Sequence, residues 1–143
     1  MTLQVTRRAG VVALLGVGAV HLQQYLTGYH VLPTIGPLFL LNAISAGVVG
    51  AALLLPIERW FGERLVGALA LGAVAIALGS LIALFIAETS VLFGFSEDGY
   101  DTPVVIAIAT EVATVVLMAP VAVASLVRGV SARGRGGALT SSH

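Results

Sequence analysis

Long apolar runs separated by short polar segments make up most of this chain. Each run has about 20 mostly apolar residues, the length that an α-helix needs to cross the hydrocarbon core of a bilayer. The four runs cover residues 9–27, 35–55, 65–87 and 103–127. The pattern predicts an all-α integral membrane protein, folded as one four-span transmembrane domain over residues 1–127.

The composition supports lipid as the main solvent of this chain. Of its 143 residues, 58% are apolar and only 10% are charged, whereas soluble domains have about 25% charged residues. There is no cysteine, which excludes disulfides and thiolate metal sites. No basic face is present that would indicate nucleic-acid binding, so the lipid bilayer is the predicted partner.

The arginines predict the orientation of the four spans. All seven lie before the first run, between the second and third, or after the fourth. The positive-inside rule therefore places both termini in the cytoplasm, for a multi-pass protein of the cell (inner) membrane. We interpret the first run as an uncleaved span rather than a signal peptide, since no convincing A-x-A site follows it. Residues 128–143, rich in Gly, Ser and Arg, predict a flexible cytoplasmic tail.

Each predicted span carries one conspicuous polar residue, and all four fall at a similar depth. His21, Asn42, Ser80 and Glu111 lie about 10–12 Å from the outer ends of their spans at 1.5 Å per residue. Polar faces avoid lipid, so these residues should point into the bundle. Further polar residues close to the same helix faces are Gln24, Tyr25, Ser45, Thr110 and Thr114.

Two interpretations of this polar layer stay open. In the first, His21 and Glu111 share a proton, bind a cation or hold the head group of a small ligand. In the second, they hydrogen-bond across helices and only fix helix register. Near the outer surface, His30, Glu88, Asp98 and Asp101 are candidates for a weak cation site, with a solvated loop as the simpler interpretation. No spacing diagnostic of a metal site is present, so we predict none, and the sequence leaves the cofactor unknown.

Small residues recur at steps of four in the second and third runs. Ala75, Gly79 and Ala83 are examples from the third. Such stripes let helix backbones approach closely in membranes. They predict tight packing within one chain, with a dimer interface as the alternative.

Residues 21–46, HLQQYLTGYHVLPTIGPLFLLNAISA, resemble a stretch found in small four-span membrane proteins of high-GC Gram-positive bacteria. Those proteins have no assigned activity. The resemblance therefore implies a fold and a bacterial membrane location, and no reaction.

Three functions are compatible with these features. The first is binding or transport of a small ligand, a proton or an ion through the polar layer. The second is a non-catalytic accessory subunit of a larger membrane complex. The third, a membrane enzyme or quinone-linked redox component, is the least favoured, since the sequence holds no nucleophile elbow, P-loop or dinucleotide fingerprint. A cavity lined by His21, Asn42 and Glu111 would favour the first function, and a solid interior the second.

Labelling of introduced cysteines can test the predicted orientation, because the chain has no cysteine of its own that would also react. In intact cells, Thr34→Cys should react with a membrane-impermeant maleimide and Gly62→Cys should react only after lysis. Reaction of Gly62→Cys from outside would reverse the orientation.

Overall fold

The computed structural model describes residues 2–91 and 102–140, with side chains up to residue 131. All regular secondary structure in these ranges is helical. The helices are α1 (Leu3–Thr27), α2 (Ile35–Leu54), α3 (Glu58–Phe61), α4 (Glu63–Thr89) and α5 (Thr102–Thr140), with a short 3-10 helix at Tyr29–Val31. The all-α fold is confirmed, and α1, α2, α4 and α5 are long and apolar enough to cross a membrane. Insertion and orientation stay predictions.

Three helices extend beyond their predicted bounds, and α4 does so by two residues at each end. α1 begins at Leu3 rather than at residue 9, because the Thr2 hydroxyl accepts a hydrogen bond from the Val5 amide (3.4 Å) and caps the helix earlier. α5 continues past the predicted end at Val127 as far as Thr140. The predicted flexibility of residues 128–143 stays a prediction.

The four long helices form a ring in the order α1, α2, α4, α5. α1 packs against α2 and α5, and α4 packs closely against α5. The seam between α2 and α4 is the sparsest of the four, and α1 and α4 barely touch across the diagonal. α5 therefore has both α1 and α4 as neighbours, which decides what its polar side chains can reach.

The apolar core lies in the half of the bundle where α1 begins. Its largest members, all fully buried, are Leu14 of α1, Leu53 of α2, and Met118 and Val121 of α5. Small residues permit this density: a Cβ on Gly10 would lie 2.9 Å from Met118, and a Cβ on Gly67 would lie 2.6 Å from Leu126. The α1–α5 and α4–α5 seams are therefore tight.

The predicted tight seam along the small residues of α2 and α4 is wrong at three glycines. A Cβ on Gly47, Gly72 or Gly79 would meet nothing within 4 Å. The reason is that these glycines face open space rather than a neighbouring helix. Gly79 in particular lines a cavity between α2 and α4.

Polar contacts tie the helices together at the end where α1 begins. Arg7 Nη1 lies 3.1 Å from Glu58 Oε2, which joins α1 to α3. Arg64 Nε donates to the Gly129 carbonyl at 3.2 Å, which joins α4 to α5. The backbone amide of Glu58 and the Arg7 guanidinium hold the pKa of the Glu58 carboxyl below its ordinary value. Gly62, with φ of 78°, makes the turn from α3 into α4.

Two glycines of α4 provide a matched test of this packing. Gly67→Ala should destabilise the protein by about 1–3 kcal/mol, because the new methyl group meets Leu126, including its backbone nitrogen at 3.0 Å. Gly79→Ala should cost nothing and gain up to about 1 kcal/mol from helix propensity. Reversible unfolding in mixed micelles measures both, and equal losses would contradict the packing described.

Candidate ligand-binding site

The site begins with a histidine whose ring is oriented by its own helix. His21 is buried, and its Nδ1 lies 2.9 Å from the carbonyl oxygen of Val17, one turn earlier in α1. A carbonyl oxygen only accepts hydrogen bonds, so Nδ1 must carry the proton. In the neutral ring, Nε2 is therefore the unprotonated nitrogen, and it points towards α4 and α5.

A single hydroxyl connects this nitrogen with a buried carboxyl group. Ser80 Oγ of α4 lies 2.8 Å from His21 Nε2, and Glu111 Oε1 of α5 lies 3.8 Å from the same nitrogen. The Ser80 hydroxyl also interacts with the Glu111 carboxyl. Three helices thus contribute one group each to what we call the relay: His21, Ser80 and Glu111. The predicted approach of His21 to Glu111 is confirmed.

The relay can hold its mobile proton in two arrangements. In the neutral form, the Glu111 carboxyl donates to Ser80, and Ser80 donates to His21 Nε2. In the charged form, His21 Nε2 donates to the Ser80 hydroxyl, and the Glu111 carboxylate accepts from that hydroxyl. Passing from one to the other moves two protons by one hydrogen bond each, and no heavy atom has to travel. The relay therefore behaves as one titrating unit that carries one exchangeable proton.

A cavity of about 360 Å³ opens beside the relay, in the half of the bundle away from the apolar core. This volume is at the lower end of the range for small-molecule sites. Most of the lining is apolar, and His21 and Glu111 are the only ionisable groups among its described residues. The lining residues are Val20, His21, Gln24, Ile35, Leu38, Phe39, Leu41, Asn42, Ser45, Ala75, Ile76, Gly79, Ser80, Ala83, Leu84, Ala87, Pro103, Val104, Ala107 and Glu111.

The cavity reaches the surface of the bundle through the α2–α4 seam. Leu38 and Leu41 of α2 line the cavity and are 45% and 59% exposed. Ala75 and Gly79 of α4 line it from the other side and are also exposed. In a bilayer this opening would face lipid chains, since all four residues lie within the two candidate spans.

Two buried oxygen atoms on the cavity lining have no hydrogen-bond partner within the described part of the chain. They are Glu111 Oε2 and Asn42 Oδ1. Buried polar atoms are usually satisfied, and an unsatisfied one costs about 1–3 kcal/mol. Both atoms are acceptors when the carboxyl is ionised, so they are complementary to a group that donates hydrogen bonds.

An aromatic wall stands next to the relay. The Phe39 ring packs against His21 with a centroid distance of 5.0 Å and stacks on Tyr29 at 4.8 Å. Phe39 also lines the cavity. Phe39 is not among the predicted site residues, although it lies three residues before Asn42 and so shares its helix face.

The predicted site residues divide into two groups. His21, Gln24, Asn42, Ser45, Ser80 and Glu111 all line the cavity. Thr110 and Thr114 do not, because their hydroxyls donate to carbonyls of their own helix: Thr110 to Ile106 (2.9 Å) and Thr114 to Thr110 (2.8 Å). Tyr25 also lies off the cavity, where its carbonyl accepts from His30 Nδ1 at 3.0 Å.

Of the four outer-loop candidates, His30 and Glu88 lie within the described residues. His30 is exposed and bonded to Tyr25, while Glu88, at the end of α4, has a buried unpaired Oε1. Asp98 and Asp101 lie outside the described residues. Within the described ranges, no three His, Asp or Glu side chains are grouped as metal ligands would be.

Comparison of the chain with protein families, with curated proteins and with solved structures gave no match. The function must therefore be inferred from the cavity and the relay themselves.

The hydrogen bond to Val17 predicts the tautomer of His21. Nitrogen NMR of the protein with ¹⁵N-labelled histidine should show a His21 ring protonated at Nδ1 in both arrangements of the relay, and this signal should vanish in His21→Asn. A ring protonated at Nε2 alone would mean that the ring does not donate to Val17, and the relay would be wrong.

Proposed function

We propose that this chain is a polytopic inner-membrane protein, with both termini cytoplasmic, that binds a small amphiphilic molecule inside the bundle. The apolar part of the molecule would occupy the cavity, and its head group would contact the relay. The observation that carries this proposal is the coincidence of the cavity with the relay: about 360 Å³ of mostly apolar space ends at His21 and Glu111. Small-molecule sites typically combine apolar walls with a few convergent polar groups.

The alternative functions are less well supported. An accessory subunit needs no internal space, and a solid interior was the feature expected of it. A quinone head presents carbonyl oxygens, which accept hydrogen bonds, whereas Glu111 Oε2 and Asn42 Oδ1 call for a donor. The proposal also includes the resemblance of residues 21–46 to small four-span membrane proteins of high-GC Gram-positive bacteria. Transport of the bound molecule would be a further step that these contacts do not require.

The opening at Gly79 allows a test that leaves the relay untouched. Gly79→Leu should fill the mouth of the cavity, and Gly72→Leu is the control, because Gly72 is equally open but does not line the cavity. The probes are naphthylethanol and naphthylethylamine, bound to the protein in phosphatidylcholine nanodiscs and measured by equilibrium dialysis against empty nanodiscs. We expect saturable binding of at least one probe, weakened about tenfold or more by Gly79→Leu and little changed by Gly72→Leu.

Two results would contradict the proposed function. One is the absence of saturable binding for both probes. The other is an equal effect of both leucine substitutions, which would locate binding outside the cavity.

A further inference from the structure

We infer that the head group recognised in this cavity is an ammonium ion, and that it binds in exchange for the one proton held by the His21–Ser80–Glu111 relay. This inference rests on the proposed function and gives its site a ligand class. The exchange follows from three features of the site: its charge, its unpaired acceptors and its aromatic wall.

The charge of the lining favours a cation. Glu111 is 1% exposed and is the only acidic group on the described lining. No arginine lines it, and the described arginines lie towards the other end of the bundle or on its loops. Because an isolated charge within a membrane span is costly, the ionised carboxylate needs a partner. His21 is the only group on the described lining that can become that cation, and a bound cation can take its place.

The acceptors favour a cation that donates hydrogen bonds. An ammonium group carries its charge together with three N–H donors. Glu111 Oε2 and Asn42 Oδ1 are two buried acceptors without a described partner. Phe39 adds an aromatic ring to the lining, the kind of side chain on which ammonium groups also bind. A carboxylate ligand would be repelled by Glu111, and a quaternary ammonium would leave both oxygens unsatisfied.

Proton exchange follows from charge balance. The empty relay is neutral overall whether its proton is on Glu111 or, as an ion pair, on His21. When R–NH₃⁺ binds, the relay loses that proton to water and keeps the carboxylate: relay–H + R–NH₃⁺ gives relay⁻·R–NH₃⁺ + H⁺. The buried site is neutral before and after, and no oxidant or further reactant is involved. The stoichiometry is one proton for either starting arrangement.

The groups that face the relay do not add a second titration. α1 contributes His21, α5 contributes Glu111, and α4 contributes only the Ser80 hydroxyl. From α2 the lining residues are uncharged. Glu88 of α4 lies about two turns beyond Ser80 and does not line the cavity.

The pH dependence has a defined sign. Because binding releases a proton, raising the pH favours the bound form. An alkylammonium keeps its own proton up to about pH 10. Below the pH at which the empty relay loses its proton, the apparent Kd for the amine should fall about tenfold per pH unit. The Kd for the neutral alcohol should not show this fall.

The experiment compares naphthylethylamine with naphthylethanol by calorimetry, on the full chain in phosphatidylcholine nanodiscs. Titrations near pH 6.5 in two buffers of different ionisation enthalpy give the number of protons released. We expect about one proton per amine bound and none per alcohol, with the amine bound about tenfold or more tightly. Glu111→Gln, which keeps the shape of the side chain, should remove both the release and the preference. Glu88→Gln, the matched acid outside the cavity, should change neither.

Some results would overturn the exchange and leave the proposed function standing. Binding of the alcohol as tightly as the amine, blocked by Gly79→Leu, would show a neutral-ligand site. Amine binding without proton release, or with the same affinity in a folded Glu111→Gln, would also overturn it. Because proton release is measured on the unmodified protein, the test holds even if Glu111→Gln does not fold.

Discussion

Glu111 brings a carboxyl group into the interior of a bundle whose long helices expose many large apolar side chains. On a face towards lipid, a charged group at this depth would cost at least about 2.5 kcal/mol. α5 therefore turns this face inward, and the ring order of the helices places α1 and α4 on either side of it. His21 and Ser80 are the polar groups that these two helices bring to the carboxyl. The rotation of three helices about their axes is thus tied to one side chain.

The two halves of the bundle differ in how closely their interiors are packed. Where α1 begins, fully buried Leu14, Leu53 and Met118 fill the interior, and the Arg7–Glu58 contact closes the end. In the other half, α2 and α4 pack less closely. The relay lies on one side of the interior, and the opening between α2 and α4 lies on the other. The packed half can hold the helices in register while the open half takes up a molecule. Rigid support of this kind is what a binding site requires.

Much of this architecture could be predicted from the sequence, because lipid imposes strong rules. Apolar runs of fixed length identified the four long helices, and the cost of polar groups in lipid indicated that His21 and Glu111 face each other. Thr114 obeys the same rule and is buried, yet Thr110 and Thr114 do not line the cavity. Their short hydroxyl side chains hydrogen-bond to their own helix instead. A count of polar residues on a helix face cannot show whether a side chain contacts another helix or hydrogen-bonds to its own.

The cavity itself could not be predicted from the sequence, because small residues can line either a cavity or a tight contact between helices. Gly79 and its neighbours have the spacing of a helix–helix seam, yet that spacing only permits close approach and does not compel it. Whether the space closes depends on the partner surface, and here the partner helix α2 is held against α1 instead. The sequence does not show which of its two neighbours α2 packs against more closely.

The space left open constrains what can fill it. Lipid chains could cover the apolar walls but would leave Glu111 Oε2 and Asn42 Oδ1 without donors. Water could satisfy these two atoms, but a volume of about 360 Å³ would hold on the order of a dozen molecules, most of them against apolar side chains. A molecule with an apolar body and a donating head satisfies both parts at once. This combination of apolar walls and unpaired acceptors is therefore the strongest physical argument for the amphiphilic ligand that we propose.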